Sequence, residues 1–405
     1  MKILNVAKAA LFGIFLNYYC YYVIVGEFIP TGTVAFLAVA LLCVGIDVLR
    51  QRYVHVGTET RCWIAYAVLA GATSLLVLGN VSFLGDLAKF VQRTLIILMV
   101  AYICQREGTI RFGLQLMAVT AVALAAAVFM VLGDIQLKLD ITSGAELSEN
   151  DTGAIMAFGC FALLYTWHKK EKPSVVLSVL KIVGVIACVT VIFLSGSRKS
   201  IMAVVIMVAL WVLLCFRDYF GHLNLKLILA VVAGSIVAYL IVAKWLLPYA
   251  QQTTLYRRLF GLGSAITEDS DEMRIRLIRY ALEHFIENPL CGLGFARFEN
   301  YHGVYSHCTY VEPLACSGII GLLYLYPYFT ITKKQLQLIS DTPKRSMERI
   351  RQKELLIYWC MFLFVGVGIP FLYKDAPCII LGTMLAAQKI SFDNLEESSP
   401  ALDRD

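Results

Sequence analysis

Residues 62–80 read CWIAYAVLAGATSLLVLGN and residues 225–243 read LKLILAVVAGSIVAYLIVA. The first run holds no charged side chain, the second only Lys226. At the 1.5 Å rise of a helix, each is long enough to approach or cross a hydrocarbon layer about 30 Å thick. Lipid offers the backbone no partners, so such runs must pair their N–H and C=O groups internally, as helices. Apolar runs of this kind recur at about 9–26, 32–49, 62–80, 84–104, 112–133, 151–168, 174–195, 198–216, 225–247, 307–332, 353–373 and 376–390. The pattern predicts an all-α polytopic membrane protein with about 12 transmembrane helices.

Composition agrees. The 405 residues are 59% hydrophobic and only 16% charged, with a mean hydropathy of +0.72. A soluble domain carries about 25% charged residues. The net charge of +6 comes without a basic stripe interleaved with aromatics, so no nucleic-acid partner is expected. The twelve cysteines form no CxxC pair and no zinc spacing, and no metal or cofactor is expected. Cys20, Cys43, Cys160, Cys188 and Cys215 sit inside apolar runs, where Cys packs as a small hydrophobe. Cys291 and Cys308 flank a loop, and whether they pair stays open. The first apolar run has no small-residue cleavage site and leads straight into further spans, so it reads as a span rather than a cleaved leader.

Lys and Arg concentrate in alternate loops, which by the positive-inside rule places both termini in the cytoplasm. The chain then divides into 1–247 with nine helices, an extracytoplasmic loop at 248–306, 307–390 with three helices, and a polar cytoplasmic tail at 391–405. The loop carries Arg257, Arg258, Arg274, Arg276, Arg279 and Arg297, and no Lys. Arg grips phosphate with a flat, two-pronged set of donors that Lys lacks. Salt bridges to the loop's own acids, such as Glu272 and Glu283, are the plainer account for most of them.

Within this loop, residues 272–288 (EMRIRLIRYALEHFIEN) have helical periodicity. Met273, Leu277, Ile278, Ala281, Leu282, Phe285 and Ile286 form the apolar face, and Arg276, Arg279, Glu283 and Glu287 the opposite one. Arg274 falls in the middle of the apolar face. A guanidinium there either lines a cavity or snorkels out of the first turn. The turn Ser195-Gly196-Ser197-Arg198-Lys199-Ser200 joins two spans, with Ser197 placed to cap the second helix. Arg198 and Lys199 then crowd a positive helix end, which is favourable with an anion present, or they snorkel as an interfacial pair. His307 has the side chain best suited to proton transfer near neutrality, and Glu312 lies about 140° round a helix from it. Asp86, Lys89 and Arg93 share one face of the fourth span, and intramembrane charges are candidates for function.

Together these residues resemble the O-antigen polymerase/ligase family (the Wzy and O-antigen ligase superfamily). Arg274 stands fifteen residues before Pro289 in R-IRLIRYALEHFIEN-P-LCGLGF, similar to the family's Arg, amphipathic helix and P-x-x-G-x-G. His307-Cys308-Thr309-Tyr310-Val311-Glu312 followed by Gly318-Ile319-Ile320-Gly321 resembles its H-N/S-x-Y-x-E…GIIG signature, departing at Cys308. Ser195-Gly196-Ser197-Arg198 resembles its S-x-S-R turn, and the likeness covers about 190–325. The resemblance implies a metal-independent, inverting glycosyltransferase on a GT-C-like scaffold. It would sit in the bacterial inner membrane with its site facing the periplasm or exterior. The implied donor is an undecaprenyl-pyrophosphate-linked oligosaccharide, and the acceptor a second glycan. Arg198 and Arg274 are implied to hold the diphosphate. Of the two implied catalytic residues, His307 would activate the acceptor or contact phosphate, and Glu312 would orient the site. Lys199, Arg258 and Arg93 are added by the charge reading alone. A polymerase making O-antigen, capsule or exopolysaccharide is favoured over a ligase, and a chain-length regulator is a compatible partner. A flippase or transporter is the alternative of another class, but the internal repeats it should show are not evident.

Overall fold

The computed structural model describes residues 2–25, 29–51, 57–131, 148–165, 174–215, 264–344 and 346–398, and these form helices without strands. In chain order they are α1 (Lys2–Val25, with a π turn at Asn17–Tyr21), α2 (Pro30–Gln51), α3 (Thr58–Leu78), α4 (Leu84–Arg106) and α5 (Arg111–Val131). Next come α6 (Glu149–Tyr165), α7 (Val175–Ser195), α8 (Arg198–Leu214), α9 (Ser264–Glu287) and α10 (Phe298–His302). The last are α11 (Glu312–Ser317), α12 (Gly321–Asp341), α13 (Met347–Gly366) and α14 (Ala376–Ser398).

Among the described residues seven helical stretches are long and apolar enough to cross a membrane: α1–α5, α7, and Glu312–Asp341, which joins α11 to α12 through a 3-10 turn. This is fewer than the expected twelve. α6 and α8 have 17 residues each, and α13 opens on the polar MERIRQKE. The expected span 225–247, Arg258 and the greater part of the acidic loop 134–151 lie outside the described residues.

Several boundaries differ from expectation, among them three near the candidate site or the tail. The span expected from 307 starts at Glu312, where Pro313 sets the first turn without needing a backbone partner. The span expected over 353–373 stops at Gly366, because Pro370 lacks an N–H and disfavours a helical residue before it. Residues 367–375 then fold inward as irregular chain with one 3-10 turn, Phe371–Tyr373. The last helix continues past 390, through much of the expected tail, to Ser398.

α6 forms the centre. Every residue from Asp151 to Leu163 is buried, as an all-round apolar helix requires, against α5, α7, α8 and α13. Phe161 stacks on Tyr358 of α13 at 4.3 Å. α14 packs chiefly on α4 and also meets α5 and α12. Small residues let these backbones close: a side chain at Gly113 would collide with Thr383, and one at Gly159 with Ala121. One end of the bundle is tied by Lys334–Glu59 (2.6 Å), Arg106–Asp47 (3.5 Å), Lys8–Glu107 and Lys353 Nζ donating to Leu214 O (2.9 Å). The other end gathers the starts of α4, α6 and α8, the segment 288–311, and residues 367–376.

Candidate functional site

The P-x-x-G-x-G run works as a clamp. Leu293 N donates to Ala315 O (3.0 Å), Gly294 N to Cys316 O (2.9 Å) and Ile319 N to Pro289 O (2.7 Å), locking the loop after α9 onto α11. The fit demands glycine twice. Gly292 (φ +64°) and Gly318 (φ +57°) adopt left-handed backbone, and a Cβ would lie 2.6 Å from Ala315 O and 2.5 Å from Pro289 O respectively. Phe295 N donates to Ser74 Oγ (2.6 Å), fastening the loop to α3. Under the clamp lies a small separate core of Leu277, Ala281, Leu293, Phe298, Ala315 and Cys316.

This core defines which side of α9 packs. Leu277 and Ala281 are 2% and 0% exposed, and half-buried Arg274 lies one turn before Leu277 on the same strip. Arg276, Arg279, Glu283 and Glu287 are exposed, as expected. The expected apolar face is narrower than periodicity suggested. Met273, Leu282 and Ile286 are exposed, because α11 and the clamp cover only one strip of the helix.

The SGSRKS turn folds as read. Gly196 caps α7 in left-handed conformation, and Ser197 caps α8, its Oγ accepting from Ser200 N (3.4 Å). Arg198 and Lys199 occupy the first turn of α8, and Lys199 Nζ donates to Gly368 O (3.3 Å). The cations thus stand at a helix end that already favours negative charge.

His307 precedes α11 in left-handed backbone (φ +58°), with Tyr305 edge-on at 4.6 Å. Burial, then the charges of Arg274, Lys199 and Lys374, pull its pKa down to about 4. Those cations come from α9, α8 and the 367–375 segment, so three distant parts of the chain act on one imidazole. Glu312 is fully buried, and its oxygens accept from Ser306 N (2.6 Å) and Tyr373 OH (2.8 Å). The carboxylate therefore fixes the backbone beside His307 and does not touch the imidazole.

Arg93 has a different environment from the one expected of a phosphate ligand. Its Nε donates to Asp375 Oδ1 (2.8 Å) and its Nη1 to Leu372 O (3.0 Å), so the 367–375 segment is its partner. Lys374 pairs with Asp151 (2.7 Å), and Asp151 also closes a capping box with Ser148 at the start of α6. Asp86, Lys89 and Arg93 all line a cavity of about 440 Å³, with Asp151, Tyr305 and Lys374 on its other walls. Sequence reasoning gave no role to Tyr373, Lys374 and Asp375, because the apolar run to 373 read as one continuous span. Pro370 followed by a Lys-Asp pair was the available signal. Cys291 and Cys308 are free thiols.

Residues 183–326 match the family model described as O-antigen ligase. That stretch contains the Arg198 turn, Arg274, the glycine clamp and the His307–Glu312 segment, and the resemblance to the O-antigen polymerase/ligase family is borne out there. With the apolar helices, it implies an integral membrane protein, and the match supports O-antigen ligase/polymerase-type function in general. No curated protein matches the chain.

Proposed function

On the premise of that family match, we propose that the chain polymerises undecaprenyl-pyrophosphate-linked oligosaccharide repeat units into a surface polysaccharide. The observation that carries the reading is the convergence of Arg274, Lys199 and Lys374 on a half-buried His307. Glycosyl transfer from a lipid diphosphate needs cations on the leaving group and a base for a weakly acidic hydroxyl. Arg198, Arg274 and Lys199 bind the diphosphate in this reading, and Arg258 is a further candidate. The acceptor oxygen attacks the anomeric carbon from the face opposite the diphosphate. The bond from that carbon to the diphosphate oxygen breaks, its electron pair leaves with the lipid diphosphate, and the hydroxyl proton passes to His307. The product is inverted, and the protein's cations take the place of a metal.

The depressed pKa suits this order of events. In the free protein the imidazole is neutral and able to accept a proton. A bound diphosphate would offset the charges of Arg274 and Lys199 and lift the pKa towards its ordinary value, strengthening the base as the donor arrives. Arg93, engaged with Asp375, shapes the neighbouring cavity in this proposal instead of gripping phosphate.

The remaining proposals follow the same reading. The end of the bundle that holds His307 faces the outside of a bacterial inner membrane, the termini are cytoplasmic, and about twelve spans form a GT-C-like scaffold. A ligase, which the family description names, would use the same donor site with a different acceptor. The test incubates purified protein and lipid-linked repeats in EDTA, with and without a lipid-core acceptor. A ladder from repeats alone supports the polymerase, and one transfer to the core lipid supports the ligase. Arg198→Ala and Arg274→Ala should each abolish product, and a full wild-type ladder from both variants would overturn the site.

A further inference from the structure

Arg198, Lys199 and Arg274, assigned above to the diphosphate, do not line the 440 Å³ cavity. It adjoins the His307 site through Tyr305, which has His307 edge-on at 4.6 Å and Lys374 Nζ over its ring at 5.7 Å. Two of its cations are neutralised within its walls, Arg93 by Asp375 and Lys374 by Asp151. Among the described residues, Asp86, Lys89 and Glu299 line it without an ion pair, beside Asn300. Carboxylates and amides take the hydroxyls of a sugar, and the tyrosine rings Tyr18 and Tyr305 offer surface for its apolar face. The uncompensated groups are two carboxylates against one ammonium, a net negative balance that repels an acidic sugar.

We infer that this cavity is the acceptor subsite, that it seats the sugar whose hydroxyl attacks, and that it selects neutral or amine-bearing sugars over uronic acids. The inference rests on the glycosyl-transfer reading above. It is tested by equilibrium binding of two probes to the full chain in nanodiscs. One probe is the lipid-free oligosaccharide repeat released from the source cell's own surface polymer, and the other is inorganic pyrophosphate. Asp86→Asn combined with Glu299→Gln should weaken oligosaccharide binding by about tenfold or more, as loss of charged hydrogen bonds does, and leave pyrophosphate binding unchanged. Arg274→Ala should do the reverse. Unchanged pyrophosphate binding also shows that the double variant is folded, and if it binds neither probe, Asn300→Ala carries the same expectation. Oligosaccharide binding that is absent in wild type, or equal in the variants, overturns the subsite, as does a repeat whose attacking sugar is a uronic acid. Pyrophosphate binding that survives Arg274→Ala, with the oligosaccharide arm as expected, overturns the donor site instead.

Discussion

His307 occupies backbone that costs a residue with a Cβ about 1–2 kcal/mol, so its surroundings must hold it there. They do so on both sides: Ser306 N is held by Glu312, and Thr309 N donates to Gly366 O (2.8 Å) while its Oγ1 donates to Ile369 O (2.5 Å). The pKa of about 4 against an ordinary 6.5 makes a pH prediction. Between those values the unfolded chain binds a proton at this position and the folded chain does not. Stability should therefore rise with pH across that window, and His307→Asn should flatten that rise in stability, read by denaturant unfolding from pH 4 to 7. Histidine NMR titration should find this imidazole neutral at pH 5.5, and Arg274→Gln should raise its pKa by removing the charge that acts on it most strongly after burial. Titration near 6.5 in both proteins would contradict the convergence of cations. His307 was legible as a candidate from its type and place in the sequence. Its depressed pKa was not, because Lys374 and Lys199 are far from it along the chain.

The glycine clamp explains why α9 can present Arg274 at all. The helix packs through one strip, and the loop behind it is fastened to α11 and α3 by four backbone donors. Gly292→Ala should lower stability by about 1–3 kcal/mol, through forced left-handed backbone and a Cβ driven against Ala315. Thermal unfolding in detergent reads this directly, and glycan transfer should fall with it even though Gly292 touches no reacting group. An unchanged midpoint would mean that the loop relaxes freely. The motif was recognisable from its spacing. Its partners were not, because backbone bonds such as Leu293 to Ala315 and Ile319 to Pro289, between an irregular loop and a short helix, leave no periodicity in the sequence. The same limit applied to α9: periodicity marked an apolar face, but which strip of it packs depended on how little of α11 reaches across.

The buried Arg93–Asp375 pair ties α4 to the chain just before α14, and Arg93 is only 8% exposed. Removing one partner strands a buried charge, so Asp375→Ala should cost about 3–5 kcal/mol, whereas Arg93→Met with Asp375→Leu should recover most of the loss. Chemical or thermal unfolding of the three proteins decides this, and a single variant as stable as wild type would show that water reaches the pair. Helical class and membrane residence could be read from the chain alone, because lipid imposes a local rule: a long apolar run must satisfy its own backbone. Arg198, Arg274 and His307 were legible as candidates for a related reason, since each sits in a short run with its own spacing or capping chemistry. The boundaries at Glu312 and Gly366, the inward fold of 367–375, and the pairing of Arg93 with Asp375 and Lys374 with Asp151 emerged only in three dimensions. Those features are contacts between segments as much as 282 residues apart, and the energy that selects them is desolvation of charge, which depends on what surrounds a residue and not on its neighbours in sequence.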